Sequence, residues 1–245
     1  PEHRKQVKQL IEKYHAGGII FFQGGPVRQA QMTNYFQEHA KVPLMIAGDY
    51  EWGLSMRLDS TVRYPRQMLM GAVQNEKLIY EFGTETARQL KKLGIHINFA
   101  PVIDPVINSR SFGENKHNVA RKGLLYTLGM QDNNVLAVGK HFPGHGDTDT
   151  DSHYELPVIL HDKQRLDTLE TYPFRKLIRN GLGGIMAAHL NIPALDAEKN
   201  SVSALSHNII HDYLQNELGF RGLIFTDALG MQAVAKHYKT GEIEI

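Results

Sequence analysis

The chain has 245 residues, of which 42% are hydrophobic and 22% charged, a composition typical of a globular protein with a substantial core. Its formal net charge of +1 excludes a strong general attraction to nucleic acid or acidic membranes, and the absence of cysteine excludes disulfides and thiolate metal sites. The apolar runs are too short to cross a bilayer. We therefore expect one soluble domain over residues 1–245 and a small or neutral partner.

Six short aliphatic runs recur along the chain, separated by stretches with helical periodicity. The runs cover 18–22, 44–48, 95–100, 135–139, 184–188 and 223–226. None alternates between apolar and polar residues, so they predict strands buried on both faces of a parallel sheet. The helical stretches cover 7–14, 78–93, 166–179, 209–218 and 228–238. This order of helices and strands predicts a parallel α/β fold.

Polar side chains follow almost every predicted strand. They are Gln23, Asp49, Asp104, Lys140 with His141, His189 and Asp227. A (β/α)8 TIM-type barrel draws its site from many strand ends, whereas an open sheet concentrates its ligands at one switch point. We therefore predict a barrel. It is incomplete in this sequence, because only six of eight strands are visible, and we expect one further strand beyond each end.

The segment GHGDTDTDSH at 144–153 combines three aspartates, two histidines and two glycines. A calcium loop fits its D-x-D-x-D spacing but requires Gly at Ser152 and Glu at Val158. A transition-metal site from His141, His145 and His153 matches no known spacing motif. A polar surface loop with capping aspartates is the commonest outcome of such composition. A proton-carrying role is favoured because the loop follows a buried strand where barrel chemistry is expected.

Several motifs, spaced in order along the chain, resemble one enzyme family. They are GGIIFF, DYEWG, INFAPVIDP, RSFGEN, KHFPGHGDTDTDSH and FTDALGM. Together they resemble glycoside hydrolase family 3, and specifically its β-N-acetylglucosaminidase branch. The resemblance covers essentially the whole chain and implies a TIM-type barrel that acts on a carbohydrate without a cofactor or metal.

The resemblance implies that Asp227 is the nucleophile, although an aspartate at a strand end also commonly caps the following helix. It implies further that His153 is the general acid and base, with Asp151 holding its tautomer and favouring its protonated form. Residues two apart in an extended loop share a side, which suits this pairing. The alternative for His153 is a solvated loop histidine.

The remaining site residues implied by the resemblance bind the sugar. Lys140 and His141 leave the fourth strand together as hydrogen-bond donors, Asp49 accepts from sugar hydroxyls, and Arg57 and Arg110 are its cationic neighbours. The alternative for both arginines is a structural salt bridge. Many family members read D-Q-E-G-G-R where this chain reads DYEWGL, so Trp52 and Leu54 replace a Gly and an Arg of the family pattern close to Arg57. Trp52 in this loop is placed either to stack on a sugar or to pack.

The implied activity is a retaining exo-β-N-acetylglucosaminidase acting on peptidoglycan fragments through a covalent glycosyl-aspartate. Its alternatives are a β-N-acetylglucosaminide phosphorylase, a β-glucosidase of the same family and a catalytically silent carbohydrate-binding barrel. No nucleic-acid partner or membrane-spanning segment is expected. The sequence leaves the oligomeric state open and does not decide between the bacterial cytoplasm and the cell envelope.

Overall fold

The computed structural model describes residues 2–105, 107–145 and 156–236. Six parallel strands form one sheet in chain order: β1 (Gly18–Ile20), β2 (Met45–Gly48), β3 (Ile97–Asn98), β4 (Leu136–Phe142), β5 (Gly184–Ala187) and β6 (Leu223–Thr226). The sequence-based prediction of an incomplete (β/α) barrel with six visible strands is confirmed. A further strand beyond each end stays a prediction.

Helices connect these strands. They are α1 (Glu2–Tyr14), α2 (Pro26–His39), α3 (Gln67–Gly71), α4 (Lys77–Lys92), α5 (Lys116–Gln131), α6 (Lys163–Arg165), α7 (Tyr172–Ile178) and α8 (Gln232–Ala235). Short 3₁₀-helices cover Leu54–Met56 and Ser203–Leu205, and π-helices cover Leu166–Glu170 and Asn208–Glu217. No helix within the described residues is long and apolar enough to span a membrane.

The predicted helices differ from the observed ones in several places. The single helix predicted for 166–179 is a π-helix followed by α7, and the helix predicted for 209–218 is also a π-helix. The helix predicted for 228–238 begins only at Gln232. Helices α2 and α5 were missed, although α2 has Pro26 in its first turn and the Asn115 side chain caps α5. In α1, the predicted core face is partly wrong, because Leu10 and Tyr14 are 50% and 62% exposed.

The inner face of the sheet carries a compact apolar layer, here called the inner layer. It consists of Ala47, Ile97, Phe99, Leu136, Val138, Met186 and Phe225. These side chains come from β2 to β6, except Phe99, which directly follows β3. Where one strand contributes two of them, they stand two positions apart, because successive side chains of a strand point to opposite faces. The next inward position along a strand therefore lies above this layer, at the carboxyl end of the sheet.

A larger core lies between the sheet and its helices. Helices α4 and α5 approach each other closely at Gly83 and Gly129, where an added Cβ would lie 2.5 Å from the Tyr126 carbonyl oxygen and 2.2 Å from that of Tyr80. Only glycine permits this backbone approach. The contact places Tyr126 of α5 directly beneath the loop that follows β2, where it supports the candidate site.

Candidate active site

Three ionisable side chains lie just above the inner layer. Each of the three comes two residues after an inner-layer side chain of β2, β4 or β6. Asp49 follows Ala47, Lys140 follows Val138 and Asp227 follows Phe225. Period-two alternation therefore turns all three toward the carboxyl end of the barrel interior. The expectation that Lys140 and His141 leave the strand is wrong, because both lie within β4, and the peptide bond between them is cis.

Asp49 is held by two cations. Its Oδ1 accepts a hydrogen bond of 2.7 Å from Lys140 Nζ, and its Oδ2 accepts one from the Arg57 guanidinium. Burial raises the pKa of Asp49, but Lys140 and Arg57 outweigh this effect and hold the pKa below its usual value. The Asp49 side chain remains 15% exposed, so a ligand at the rim can still reach it.

Glu51 is a fully buried carboxylate of this cluster. Its side chain is 0% exposed, and its Oε1 lies 2.9 Å from Lys140 Nζ. Arg110 donates to both carboxylate oxygens, from Nη2 to Oε1 at 2.6 Å and from Nε to Oε2 at 3.0 Å. Burial raises the pKa of Glu51, but the charges of and hydrogen bonds from Lys140 and Arg110 lower it to about 2. Glu51 is therefore an anion that joins the two cations.

Asp104 organises the two histidines that follow. Its Oδ2 lies 2.7 Å from His141 Nδ1 and accepts the His141 backbone N–H at 2.9 Å, while its Oδ1 accepts the His145 backbone N–H at 2.9 Å. Burial raises the pKa of Asp104, but the histidine contacts outweigh it and lower the pKa. The other ring nitrogen of His141 lies 3.5 Å from Arg110 Nη2. Asp104 thus fixes the imidazole of His141 against the arginine.

Asp227 closes the other side of the rim. Its backbone N–H donates to the Ala187 carbonyl at 2.9 Å, and its Oδ1 accepts the Ala228 N–H at 2.8 Å. Burial lowers the pKa of both His145 and His189, and the negative charge of Asp227 opposes that lowering in each. The fully buried His189 has Nε2 3.2 Å from the Ala228 carbonyl oxygen, and its Nδ1 has no hydrogen-bond partner among the described residues.

The loop after β2 is anchored from below by Tyr50. Its backbone N–H donates to Asn98 Oδ1 at 3.0 Å, and its carbonyl accepts from Tyr126 OH at 3.2 Å. The Tyr50 hydroxyl in turn pairs with the Gln29 amide at 3.1 Å. Because Tyr50 stands between Asp49 and Glu51, these bonds fix the direction of both carboxylates.

The structure brings all five predicted sugar-binding residues into one cluster, in which Glu51 joins Lys140 to Arg110: Asp49, Arg57, Arg110, Lys140 and His141. The predicted acid and base His153 and its partner Asp151 lie outside the described residues, as does most of the loop on which the calcium and transition-metal alternatives rest. Two central residues were missed, Glu51 and Asp104. Asp104 was visible as a strand-end polar residue, and Glu51 stands two positions after Asp49 on the same loop.

Trp52 lies beside this cluster. The Arg66 guanidinium carbon is 5.0 Å from its ring centroid, and the side chain is half-buried. The contact is of a cation–π kind. The contact is compatible with both predicted roles of Trp52, stacking on a ligand and packing, so both stay predictions.

The family description "Glycosyl hydrolase family 3 N terminal domain" matches residues 2–244. The chain belongs to glycoside hydrolase family 3. The resemblance that its motifs carry is therefore confirmed at the level of the family. The position of the cluster agrees with this family's barrel fold. The cluster lies at the carboxyl ends of the strands, where the active sites of (β/α) barrels form.

This glycoside hydrolase family 3 chain is similar to β-hexosaminidases and to a solved β-N-acetylglucosaminidase. "Beta-hexosaminidase" of Nitrosomonas eutropha (strain DSM 101675 / C91 / Nm57) is 35% identical, over 91% of this chain and 67% of its own length. "Beta-hexosaminidase A" of Pseudoalteromonas piscicida is 35% identical, over 95% of this chain and 44% of its own. A solved family 3 β-N-acetylglucosaminidase from Paenibacillus sp. str. FPU-7 superposes with a TM-score of 0.90 at 40% identity, over 96% of this chain and 48% of that one. The chain thus spans less than half the length of two of these relatives.

Proposed function

We propose that this chain carries the catalytic site of a retaining exo-β-N-acetylglucosaminidase. The observation that carries the proposal is the cluster in which Asp49, Lys140, Glu51 and Arg110 are bonded to one another. A neutral sugar needs such a set, because each hydroxyl is both a donor and an acceptor and must meet fixed carboxylates and fixed cations. The names of the relatives support β-linked N-acetylhexosamine as the substrate, and peptidoglycan fragments are the proposed source.

The first half of the reaction forms a bond between Asp227 and the sugar. An Asp227 oxygen attacks the anomeric carbon while the glycosidic C–O bond breaks, through a transition state with oxocarbenium character. The imidazolium of His153 gives its proton to the departing oxygen, and Asp151 keeps that ring in the required tautomer. The products of this half are the free aglycone and a covalent glycosyl-aspartate.

The second half releases the sugar. The now neutral imidazole of His153 takes a proton from water, and the water oxygen attacks the anomeric carbon from the face that the aglycone left. The bond to Asp227 breaks and its carboxylate is restored. Two inversions at one carbon give net retention of the β configuration, and no cofactor takes part in either half.

The buried and the accessible members of the cluster have different tasks in this scheme. Asp49 uses one lone-pair site of each oxygen for Lys140 and Arg57, so further sites remain for sugar hydroxyls. Glu51 has no exposed surface, so its task is to hold Lys140 and Arg110 at fixed positions. This fixed charge pattern orients the sugar ring over Asp227. The binding residues thereby contribute to catalysis by holding the substrate in the geometry that the reaction needs.

An Asp227→Asn variant tests the nucleophile. We expect its kcat on an aryl β-N-acetylglucosaminide to fall by at least about 10³-fold, because the covalent step is lost. Asp162→Asn is the matched control: Asp162 is an exposed N-cap whose side chain accepts from the Arg165 N–H, a role that asparagine also fills, so the rate should stay near that of the parent.

Rescue by azide separates loss of the nucleophile from loss of structure. In an Asp227→Gly variant, azide enters from the vacated face, so the expected product is the α-glycosyl azide. An Asp227→Asn enzyme that works at the parental rate would contradict the proposal. Equal parental rates on aryl β-N-acetylglucosaminide and aryl β-glucoside would refute the acetamido preference. Release of GlcNAc-1-phosphate in phosphate buffer would replace hydrolase with phosphorylase.

A further inference from the structure

Two histidines and an aspartate come together at the start of the π-helix Asn208–Glu217, away from the strand-end site. The ring centroids of His207 and His211 are 4.5 Å apart. The Asp212 carboxylate reaches both, with Oδ1 2.9 Å from His211 Nδ1 and Oδ2 3.7 Å from His207 Nδ1. One ligand atom from each of the three lies within 4.8 Å of the others. In the part of the chain that the structure describes, no other three His, Asp or Glu side chains meet in this way.

The π-helical backbone explains why the three side chains converge. In an α-helix of 3.6 residues per turn, a residue five positions on lies about 140° round the axis and faces away. Hydrogen bonds from residue i to residue i+5 widen the turn, so positions four and five beyond a residue both lie beside it. His211 and Asp212 stand four and five residues beyond His207, and both therefore flank it.

The opposite face of this helix is buried, and that keeps the cluster in solvent. Ile209, Tyr213 and Leu214 are buried, whereas the side chains of His207, His211 and Asp212 are 74%, 50% and 57% exposed. The hydrogen bond from His211 also lowers the pKa of Asp212 below its usual value. The cluster thus offers two imidazoles and one anionic carboxylate to solvent from a backbone whose other side is packed.

We propose that His207, His211 and Asp212 bind one divalent first-row transition ion, Zn²⁺ or Cu²⁺, at a surface site separate from the strand-end site. Imidazole nitrogen is the ligand that these ions favour, whereas Mg²⁺ and Ca²⁺ require oxygen ligands. Two imidazoles and a carboxylate occupy one side of the ion, and water fills its remaining positions. The proposed ion would therefore bind from solution and keep part of its water shell.

Titration of the protein with ZnCl₂ by isothermal calorimetry tests the site. We expect one equivalent to bind at the cluster, and we expect its association constant to fall at least about tenfold in His207→Asn/His211→Asn, because both nitrogen ligands are lost. Asp212→Asn should weaken binding less, since it removes only the carboxylate charge. The matched control is His3→Asn/His15→Asn, which removes two exposed histidines elsewhere and should bind Zn²⁺ as the parent does.

Metal choice gives a second, independent measurement. The order of affinities for nitrogen and oxygen sites places Cu²⁺ above Zn²⁺, and Mg²⁺ should give no heat at the cluster. Thermal unfolding without metal should be unchanged in the double variant, because both side chains are exposed. Undiminished Zn²⁺ binding by His207→Asn/His211→Asn would overturn the proposal and place the ion elsewhere, for example at His141 and His145. Absence of binding up to about 1 mM Zn²⁺, or equal binding of Mg²⁺, would overturn it as well.

Discussion

The two halves of the strand-end rim differ in how their charges are partnered. Over β2 to β4, the carboxylates of Asp49, Glu51 and Asp104 all have cationic or histidine partners. Over β5 and β6, the described residues give the Asp227 carboxylate only a backbone N–H, and they leave Nδ1 of His189 without a partner. Among the described residues, every carboxylate of the first half is therefore held by an ion pair or a histidine, whereas the second half has polar side-chain atoms without a charged partner.

This difference matches the tasks that the proposed reaction assigns to each half. Binding residues must keep their positions before and during the reaction, and mutual ion pairs provide this rigidity. A nucleophile needs free electron pairs, and a cation held firmly against Asp227 would lower its reactivity. The contrast therefore predicts that changes on the β2–β4 side alter stability strongly, whereas changes on the β5–β6 side alter turnover.

Glu51→Gln should have the largest effect on stability. Removal of this buried charge leaves Lys140 and Arg110 facing each other without their common anion, and breaking a buried ion pair costs about 3–5 kcal/mol. Urea unfolding, compared at equal m-values, measures the loss. A loss below about 1 kcal/mol would mean that the rim is not held by this network.

Acid should remove much of the same stabilisation in the parent. The pKa of Glu51 is lowered from 4.5 to about 2, so its contribution is fully present above pH 4.5 and is lost as the pH falls toward 2. The linkage amounts to about 3 kcal/mol, and Asp49 and Asp104 contribute with the same sign. Unfolding free energies measured from pH 6 to pH 3 should therefore converge for the parent and Glu51→Gln. A gap that stays constant would contradict the assignment.

His189→Phe should affect turnover more than stability. The imidazole Nε2 lies 3.2 Å from the Ala228 carbonyl, next to Asp227, so its loss should misplace the nucleophile and lower kcat about tenfold with KM little changed. One hydrogen bond is worth about 1 kcal/mol in the free energy of unfolding. His189→Gln keeps a side-chain donor and should recover part of kcat. A variant that raises KM instead would make His189 a binding residue.

Lys77→Ala should have the smallest effect and sets the scale for the others. Lys77 and Glu81 form an exposed pair at 3.3 Å, with side chains 78% and 50% exposed. Such i, i+4 pairs contribute about 0.3–0.5 kcal/mol, and salt screens them. Urea unfolding at low and high salt measures this. An effect as large as that of Glu51→Gln would show that burial does not distinguish the two kinds of pair.

Strand positions and strand-end chemistry were predictable from the sequence because both depend on local patterns. Continuous aliphatic runs marked all six strands, and the run at 223–226 coincides with β6. The polar residue that follows each run was enough to predict Asp49 and Asp227 as rim residues. The family motifs added Arg57 and Arg110, and the partner of Arg110 lies far along the chain.

The features that were missed depend on contacts across the fold. Glu51 is important because Lys140 and Arg110 meet on it, and neither is near it in sequence. Helix α5 has no clear apolar stripe, since small residues such as Gly129 face its neighbour and give no hydrophobic period. The apolar residues of the π-helix at 208–217 have the spacing that an α-helix would also have. The sequence therefore predicts a helix there but does not distinguish a π-helix from an α-helix.

Tyr50 ties the loop after β2 to three separate parts of the barrel, through Asn98 of β3, Tyr126 of α5 and Gln29 of α2. Residues on outer helices therefore share control of where Asp49 points, although they never meet a substrate. Screens for altered sugar preference should sample these supporting positions as well as the pocket wall. A repacked helix is then a route to new specificity that leaves every contacting group intact.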